Sequence, residues 1–296
     1  MSYQKLPIDV EINSWSELNT RLFENSWHGQ IQRHRSNRAF RGLSNAAYSL
    51  ETSLGRLKDL HGKRDDSQSL SVYTNLEKNI LRSFQKYAYT DTTMHYTEWY
   101  WLSLAQHHGL PTRLLDWTYS PYVALHFATY EHFEAPAAIW AVDFVQLHKS
   151  WITSDLRKSL DEITGSIFTV EILQSNKETE TLEKFDQIHT SKSKELAIYF
   201  EPPSLDARIN NQFALFSVMN ERTAMLDQWL LAKERQYLTT RYIIPADLKW
   251  EIRNKLDGLN IHERVLFPGL DGLSLWLKRY YGPPPQNAFN TEDGLG

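Results

Sequence analysis

The sequence predicts an α+β fold: a mixed, mostly antiparallel β core with a helical N-terminal layer and C-terminal helices. Three observations carry this. Apolar residues keep helical spacing in blocks near both ends, β-rich runs cluster between residues 137 and 244, and helices and strands follow one another without regular βαβ alternation. At 296 residues the chain is long enough to bury a substantial core.

Along the chain, Trp15, Leu18, Leu22 and Phe23 recur at spacings of three or four behind Ser14, which predicts a capped amphipathic helix over 14–27. A short strand follows at 38–43. Leu70, Tyr73, Ile80, Leu81, Phe84 and Tyr87 predict a helix over 69–88, and the aromatic run 96–104 begins another. TRLLDW reads as a buried strand after Pro111. In SPYVALHFATY, Ser120 caps and Pro121 takes the first helical position, so a helix starts there. AAIWAVDF, KELAIYF, NQFALFSV and YLTTRYIIP read as strands. The polar, charge-dense stretch 175–193 reads as an exposed insertion. DLKWEIRNKLDG and LDGLSLWLKRYYG supply the final helices. The expected organisation is an N-terminal helical extension (1–34), one domain (35–282) and a flexible tail (283–296), where three consecutive prolines stop any helix.

Composition excludes several functions. With no cysteine, disulfides, thiolate zinc sites and cysteine nucleophiles are ruled out. Neither a secretory leader nor a bilayer-length apolar run is present, which predicts a cytoplasmic protein. The net charge of −4, from 32 basic and 36 acidic residues, gives no global basic field, although QRHRSNRAFR concentrates four arginines in ten residues. No Gly-x-Gly-x-x-Gly, Walker-type loop or His-Glu-x-x-His occurs. His107 and His108 are adjacent and diverge by about 100° on a helix, so no metal site is expected.

One stretch concentrates hydrogen-bonding groups among apolar residues: QHHGLPTRLLDWTYSPYVALHFA, residues 106–128. Together with AFRG (39–42), YSLETSLGR (48–56), DARINNQFALF (206–216) and LFPGLDGLSLWLKR (266–279), it resembles the FRG domain, named for its aromatic-Arg-Gly signature. The resemblance spans roughly residues 35–282. The pattern is similar in turn to ADP-ribosyltransferases, and that likeness implies an ADP-ribosyltransferase-like β core and NAD as substrate, with no metal. It further implies a macromolecular target, protein or nucleic acid, a toxin or phage-defence role, and a neutralising antitoxin as partner.

On that resemblance, Arg41 with Gly42 holds the NAD phosphate or ribose oxygens, and Thr112, Thr118 or Ser120 stands ahead of the ALHFA helix. The late strand brings Gln212 where glutamate is expected, leaving Glu201 or Glu195 as the nearest carboxylates. Cleaving the nicotinamide–ribose bond develops oxocarbenium character, so the site needs a cation fork, a stacking aromatic and an acceptor. Arg41 or Arg113 suits the fork, because planar guanidinium donors match phosphate. Trp117 or Tyr73 suits the stack, and His107 or His108 the base or ribose contact. Each assignment has a structural competitor. Arg41 pairs with Asp116 across the fold, Arg113 is a structural bridge, Trp117 fills the core, Gln212 bonds backbone in a central strand, and Asp116 with Thr118 accepts N–H groups at the next helix. At the level of function, the competing reading is a non-catalytic nucleotide- or partner-binding module. A nuclease is the weaker third, for want of clustered carboxylates.

Overall fold

The computed structural model describes residues 5–29, 31–60, 66–88, 97–163 and 165–285, with the backbone alone for 58–60 and 66–74. In chain order the strands are β1 (Asp9–Glu11), β2 (Trp27–His28), β3 (Arg33–His34), β4 (Arg38–Leu43), β5 (Leu115–Thr118), β6 (Ala137–Asp143), β7 (Phe168–Thr169), β8 (Ala197–Glu201), β9 (Ala214–Met219) and β10 (Thr239–Ile244). The helices are α1 (Trp15–Phe23), α2 (Ser53–Leu60), α3 (Asp66–Ala88), α4 (Glu98–His107), α5 (Pro121–Ala128), α6 (Phe144–Trp151), α7 (Ser154–Glu162), α8 (Val170–Ser175), α9 (Leu182–Asp186), α10 (Ala207–Asn211), α11 (Leu226–Leu231), α12 (Leu248–Gly258), α13 (Glu263–Leu266) and α14 (Leu270–Tyr280). The fold is α+β.

Eight strands form one sheet in the order β1-β10-β6-β4-β5-β9-β8-β7. Only the edge pairs β1/β10 and β7/β8 are parallel. Strand β6 is buried along nearly its whole length because both faces are covered. Its Ala137, Ile139 and Ala141 pack with α1, α5 and α12, while Trp140 and Val142 pack with α6 and α11. The far half of the first face, from β8 and β9, packs on α3, α4, α8 and α9 through Ile198, Phe200, Phe216 and Val218. That face therefore carries two separate helical layers.

Between them the sheet itself opens. Strand β4 pairs with β6 over six residues, but with β5 at a single position, Phe40 opposite Thr118. Antiparallel register would next set Gly42 against Asp116, and those residues do not pair.

Local signals account for the elements beside this opening. Ser120 accepts the Val123 N–H (3.3 Å) and Pro121 starts α5, as a capped helix requires. Gly42 lets α5 lie directly on β4, since a Cβ there would stand 1.9 Å from the Ala124 carbonyl oxygen. Lys249, on α12, staples the loops around the opening by donating to the carbonyls of Ser44 (2.8 Å), Glu131 (2.9 Å), His132 (2.7 Å) and Ala135 (3.2 Å). Desolvation pushes its ammonium down to about 8, opposed by Glu134.

Several expectations need correction. The stretch 175–193 is not a solvated insertion: it contains α9, and Leu182, Phe185 and Ile188 are buried in the core with Trp99. Sparse apolar residues suffice there because all three join one buried cluster, in which Phe185 meets the Trp99 ring edge-on at 5.3 Å. TRLLDW is strand only from Leu115 onward. In NQFALFSV the first two residues end a helical turn, and the strand begins after Phe213, whose φ of 47° breaks the run. Residues 1–34 supply β1 to the sheet edge and α1 to the core. Residues 286–296 of the expected tail lie outside the described residues. Among the described residues, no helix is long and apolar enough to cross a membrane.

Candidate functional site

A cleft of about 870 Å³ lies over the opening of the sheet, walled by α5 on one side and by the ends of α4 and α10 on the other. Arg41 stands at its floor. From the single β4–β5 pair the strands diverge, and the guanidinium bridges the gap: Nη1 donates to the main-chain carbonyl of Asp116 at 2.5 Å and lies 3.9 Å from its carboxylate. Nη2 makes no hydrogen bond among the described residues, and the side chain is 20 % exposed. Burial, with Arg56 adding repulsion, pulls the guanidinium below its ordinary pKa, and Asp116 opposes both. Below it, the buried Tyr199 hydroxyl has no partner among the described residues.

Asp116 is not a helix cap. It sits on β5, where Leu115 and Trp117 face the core and the intervening Asp116 faces the cleft, 61 % exposed. Its Oδ2 accepts from Gln106 Nε2 at 2.9 Å. Gln106 Oε1 in turn accepts from the Thr112 hydroxyl at 2.5 Å. Thr112 is fixed by α2: its N–H donates to Ser53 Oγ (3.0 Å) and its carbonyl accepts the Leu54 N–H (3.0 Å).

His107 ends α4, and its Nε2 lies 2.8 Å from Asp206 Oδ2 across the cleft wall. Asp206 also caps α10 through the N–H groups of Arg208 and Ile209. Against a desolvation penalty, the Ile209 N–H and then His107 hold its carboxyl below the ordinary range. Arg208 lies over the Phe267 ring at 5.2 Å, and both line the cleft.

The expected site residues thus divide. Arg41, Gly42, His107, Asp116, Trp117, Thr118 and Gln212 border the cleft. Arg113 does not. It is buried with Glu77 (Nε to Oε1 2.7 Å), Asp186 and Arg222 in an ion cluster behind α3, the structural-bridge alternative. Those carboxylates lift its pKa above the ordinary guanidinium value in spite of burial. Trp117 borders the cleft but buries its indole, donating to Ser217 Oγ at 2.8 Å, so it fills the core and is no stacking platform. Thr112 acts through Gln106, and Ser120 is the α5 cap. Thr118 donates to the Gln212 carbonyl at 2.7 Å. Gln212 lies on no strand: it ends α10 and gives its amide to the Leu266 carbonyl at 2.9 Å. Glu201 accepts from the Tyr119 hydroxyl at 2.8 Å and does not line the cleft. Burial and then Glu201 raise the Tyr119 pKa. The side chain of Tyr73 lies outside the described residues.

Sequence reasoning missed Gln106, Arg56 and Asp206. Each stood inside a quoted segment: Gln106 meets Thr112 and Asp116 six and ten residues on, across the turn between α4 and β5, and Asp206 meets His107 over 99 residues, and no spacing rule marks either kind of pair. Among the described residues, no group of three or more His, Asp or Glu could hold a metal ion.

A family model, the FRG domain, matches residues 36–136. The match takes in β4, α2, the Gln106–Asp116 relay and α5, and leaves the segments 206–216 and 266–279 outside it. No curated protein and no solved structure matches the chain. Residues 36–136, which contribute Arg41, Gln106, His107 and Asp116 to the cleft, are an FRG domain.

Proposed function

We propose that this chain is an NAD-dependent ADP-ribosyltransferase that binds NAD in the cleft over the split sheet and modifies a macromolecule. The observation that carries the reading is Arg41: a guanidinium held by one donor to Asp116, with Nη2 unused among the described residues, at the floor of a cleft about 870 Å³ in volume. A dinucleotide needs such a space, and its pyrophosphate needs paired planar donors. Arg56 and Arg208 add two further cations to the lining. Tyr48, Phe127 and Phe267 offer aromatic surface for the bases in place of Trp117. When NAD binds, the chemistry it brings is a glycosidic bond to a good leaving group. The chain's own task is to hold the pyrophosphate, exclude water and face the developing positive charge with a carboxylate.

Purified protein incubated with labelled NAD and cell extract is expected to label protein or nucleic acid. Arg41→Ala should abolish labelling, with Arg41→Lys recovering a fraction of it. Labelling that survives Arg41→Ala, or never occurs, sinks the reading. A second reading, a non-catalytic nucleotide-binding module, is favoured by one observation: Gln212 borders the cleft with an amide tied to the Leu266 carbonyl, and Glu201 is bound to Tyr119 outside it, so neither expected position puts a carboxylate in the cleft. Thermal stabilisation by NAD without turnover would favour it.

A further inference from the structure

We propose that Asp116 supplies the carboxylate of the transfer reaction and that Gln106 is its positioning residue, an inference that rests on the reading of the cleft as an NAD site. Five carboxylates line the cleft: Glu51, Asp116, Glu131, Asp206 and Asp271. Asp206 has both oxygens committed, Oδ1 to the α10 N–H groups and Oδ2 to His107. Arg41 forms its ion pair with Asp116 and, among the described residues, with none of Glu51, Glu131 or Asp271. Asp116 is the residue whose main chain anchors Arg41 and whose carboxylate lies 3.9 Å from the same guanidinium. Its Oδ1 has no hydrogen bond among the described residues.

The relay behind it fixes its orientation. Thr112 Oγ1 accepts the Leu114 N–H (3.1 Å), so its one proton goes to Gln106 Oε1. That bond sets which end of the amide is which, and turns Nε2 onto Asp116 Oδ2. One carboxylate oxygen is thereby held and the other left for substrate, the preorganisation that stabilising a developing charge requires.

In the reaction the bond between ribose C1′ and the nicotinamide nitrogen breaks, and its electron pair leaves with nicotinamide, which departs neutral. Positive charge develops at C1′ and the ring oxygen, and the Asp116 carboxylate offsets it. A lone pair of the acceptor, or of water in hydrolysis, forms the new bond to C1′, and the acceptor's proton passes to Asp116 and on to solvent.

The test uses the full chain, with NAD hydrolysis for turnover and calorimetric titration with ADP-ribose for binding. Asp116→Asn is expected to bind ADP-ribose within about threefold of wild type and to lose about 100-fold or more in kcat, the range for a positioned acid–base group. Gln106→Ala should lower kcat about tenfold with KM unchanged. Gln106→Glu separates positioning from packing. The isosteric glutamate should be worse than alanine, because it sets a second negative charge against Asp116, whereas a packing role predicts the reverse order. Hydrolysis by Asp116→Asn at near wild-type rate, or Gln106→Glu outperforming Gln106→Ala, overturns the assignment while leaving the NAD reading intact. Wild-type protein that neither binds ADP-ribose nor cleaves NAD sinks both.

Discussion

Protonation of the buried His148 should cost this protein stability on the acid side. His148 on α6 is fully packed, and both ring nitrogens are used: Nδ1–H donates to the Ser166 carbonyl (3.0 Å) and Nε2 accepts the Tyr199 N–H (3.0 Å). A proton on Nε2 would oppose two donors in the middle of β8, two residues from its end. Desolvation pushes the imidazole down to about 4, opposed only by the Ser166 bond. The unfolded chain titrates near the ordinary value of 6.5, so below that pH it binds a proton the folded state refuses. Stability is therefore complete above about pH 6.5 and is lost as pH falls. The linkage gives about 2 kcal/mol by pH 5 and about 3 kcal/mol by pH 4. Glu263, held down to about 2 by Arg279 and Arg253 despite desolvation, and the buried His126 push in the same direction, so a variant must isolate the contribution of His148. His148→Gln removes the titrating group. Urea unfolding followed by tryptophan fluorescence at pH 7.5, 5 and 4 should show wild type losing about 2–3 kcal/mol more than His148→Gln between the extremes. Parallel pH dependences in the two proteins would refute the reasoning.

Other perturbations follow from single contacts. Gly42→Ala sets a methyl group into the Ala124 carbonyl and should cost about 3 kcal/mol or more, since only a shift of α5 off β4 relieves it; a melting temperature within 2–3 °C of wild type would contradict the close approach. Arg113→Met strands Glu77 and Asp186 in the core with Arg222 as their remaining cation, and is expected to cost about 3–5 kcal/mol in urea unfolding. In whatever fraction stays folded, ADP-ribose affinity should match wild type, and a changed affinity would place Arg113 back at the cleft. Glu201→Gln should leave NAD turnover within about threefold, because its partner is Tyr119; a large loss of kcat would return the catalytic carboxylate to β8.

Elements whose cause is local were legible in the sequence. Ser14, Ser120 and Pro121 mark helix starts by chemistry confined to four residues, and Arg38–Leu43 and Ala137–Asp143 read as strands from side-chain type alone. What escaped was decided across distance. Arg113 finds its carboxylates 36 and 73 residues away, so nothing in PTRLLDW tells a phosphate ligand from a core ion pair. Gln212 falls in a run that alternates well enough to look like strand, but Asp206 caps a five-residue helix first, and the turn at Phe213 moves the strand's start to Ala214. The helix-cap reading of Asp116 failed for a related reason, while its pairing with Arg41 held. TRLLDW reads as a buried strand, and the divergence of β4 from β5, which exposes Asp116, is a pairing fact that no single strand encodes.

The divergence also explains why so many polar groups crowd residues 106–118. A central strand that loses its neighbour leaves backbone donors and acceptors unpaired, and buried ones are costly unless side chains take over. Arg41 satisfies the Asp116 carbonyl that a β4 amide would otherwise meet, while Thr112, Ser53 and Gln106 tie down the segment that enters β5. Most of the motif is thus committed to keeping the sheet open. Gln106 is where the two duties meet: the amide that completes this scaffold on the Thr112 side is the one that orients a cleft carboxylate on the other. If so, removing the Thr112 hydroxyl should act at a distance. Thr112→Val frees the Gln106 amide to rotate, and is expected to lower kcat for NAD cleavage several-fold, less than Gln106→Ala, with ADP-ribose affinity unchanged. An unaltered kcat would mean that the amide needs no hydroxyl to hold its direction, and would break the link between the opened sheet and the carboxylate that faces it.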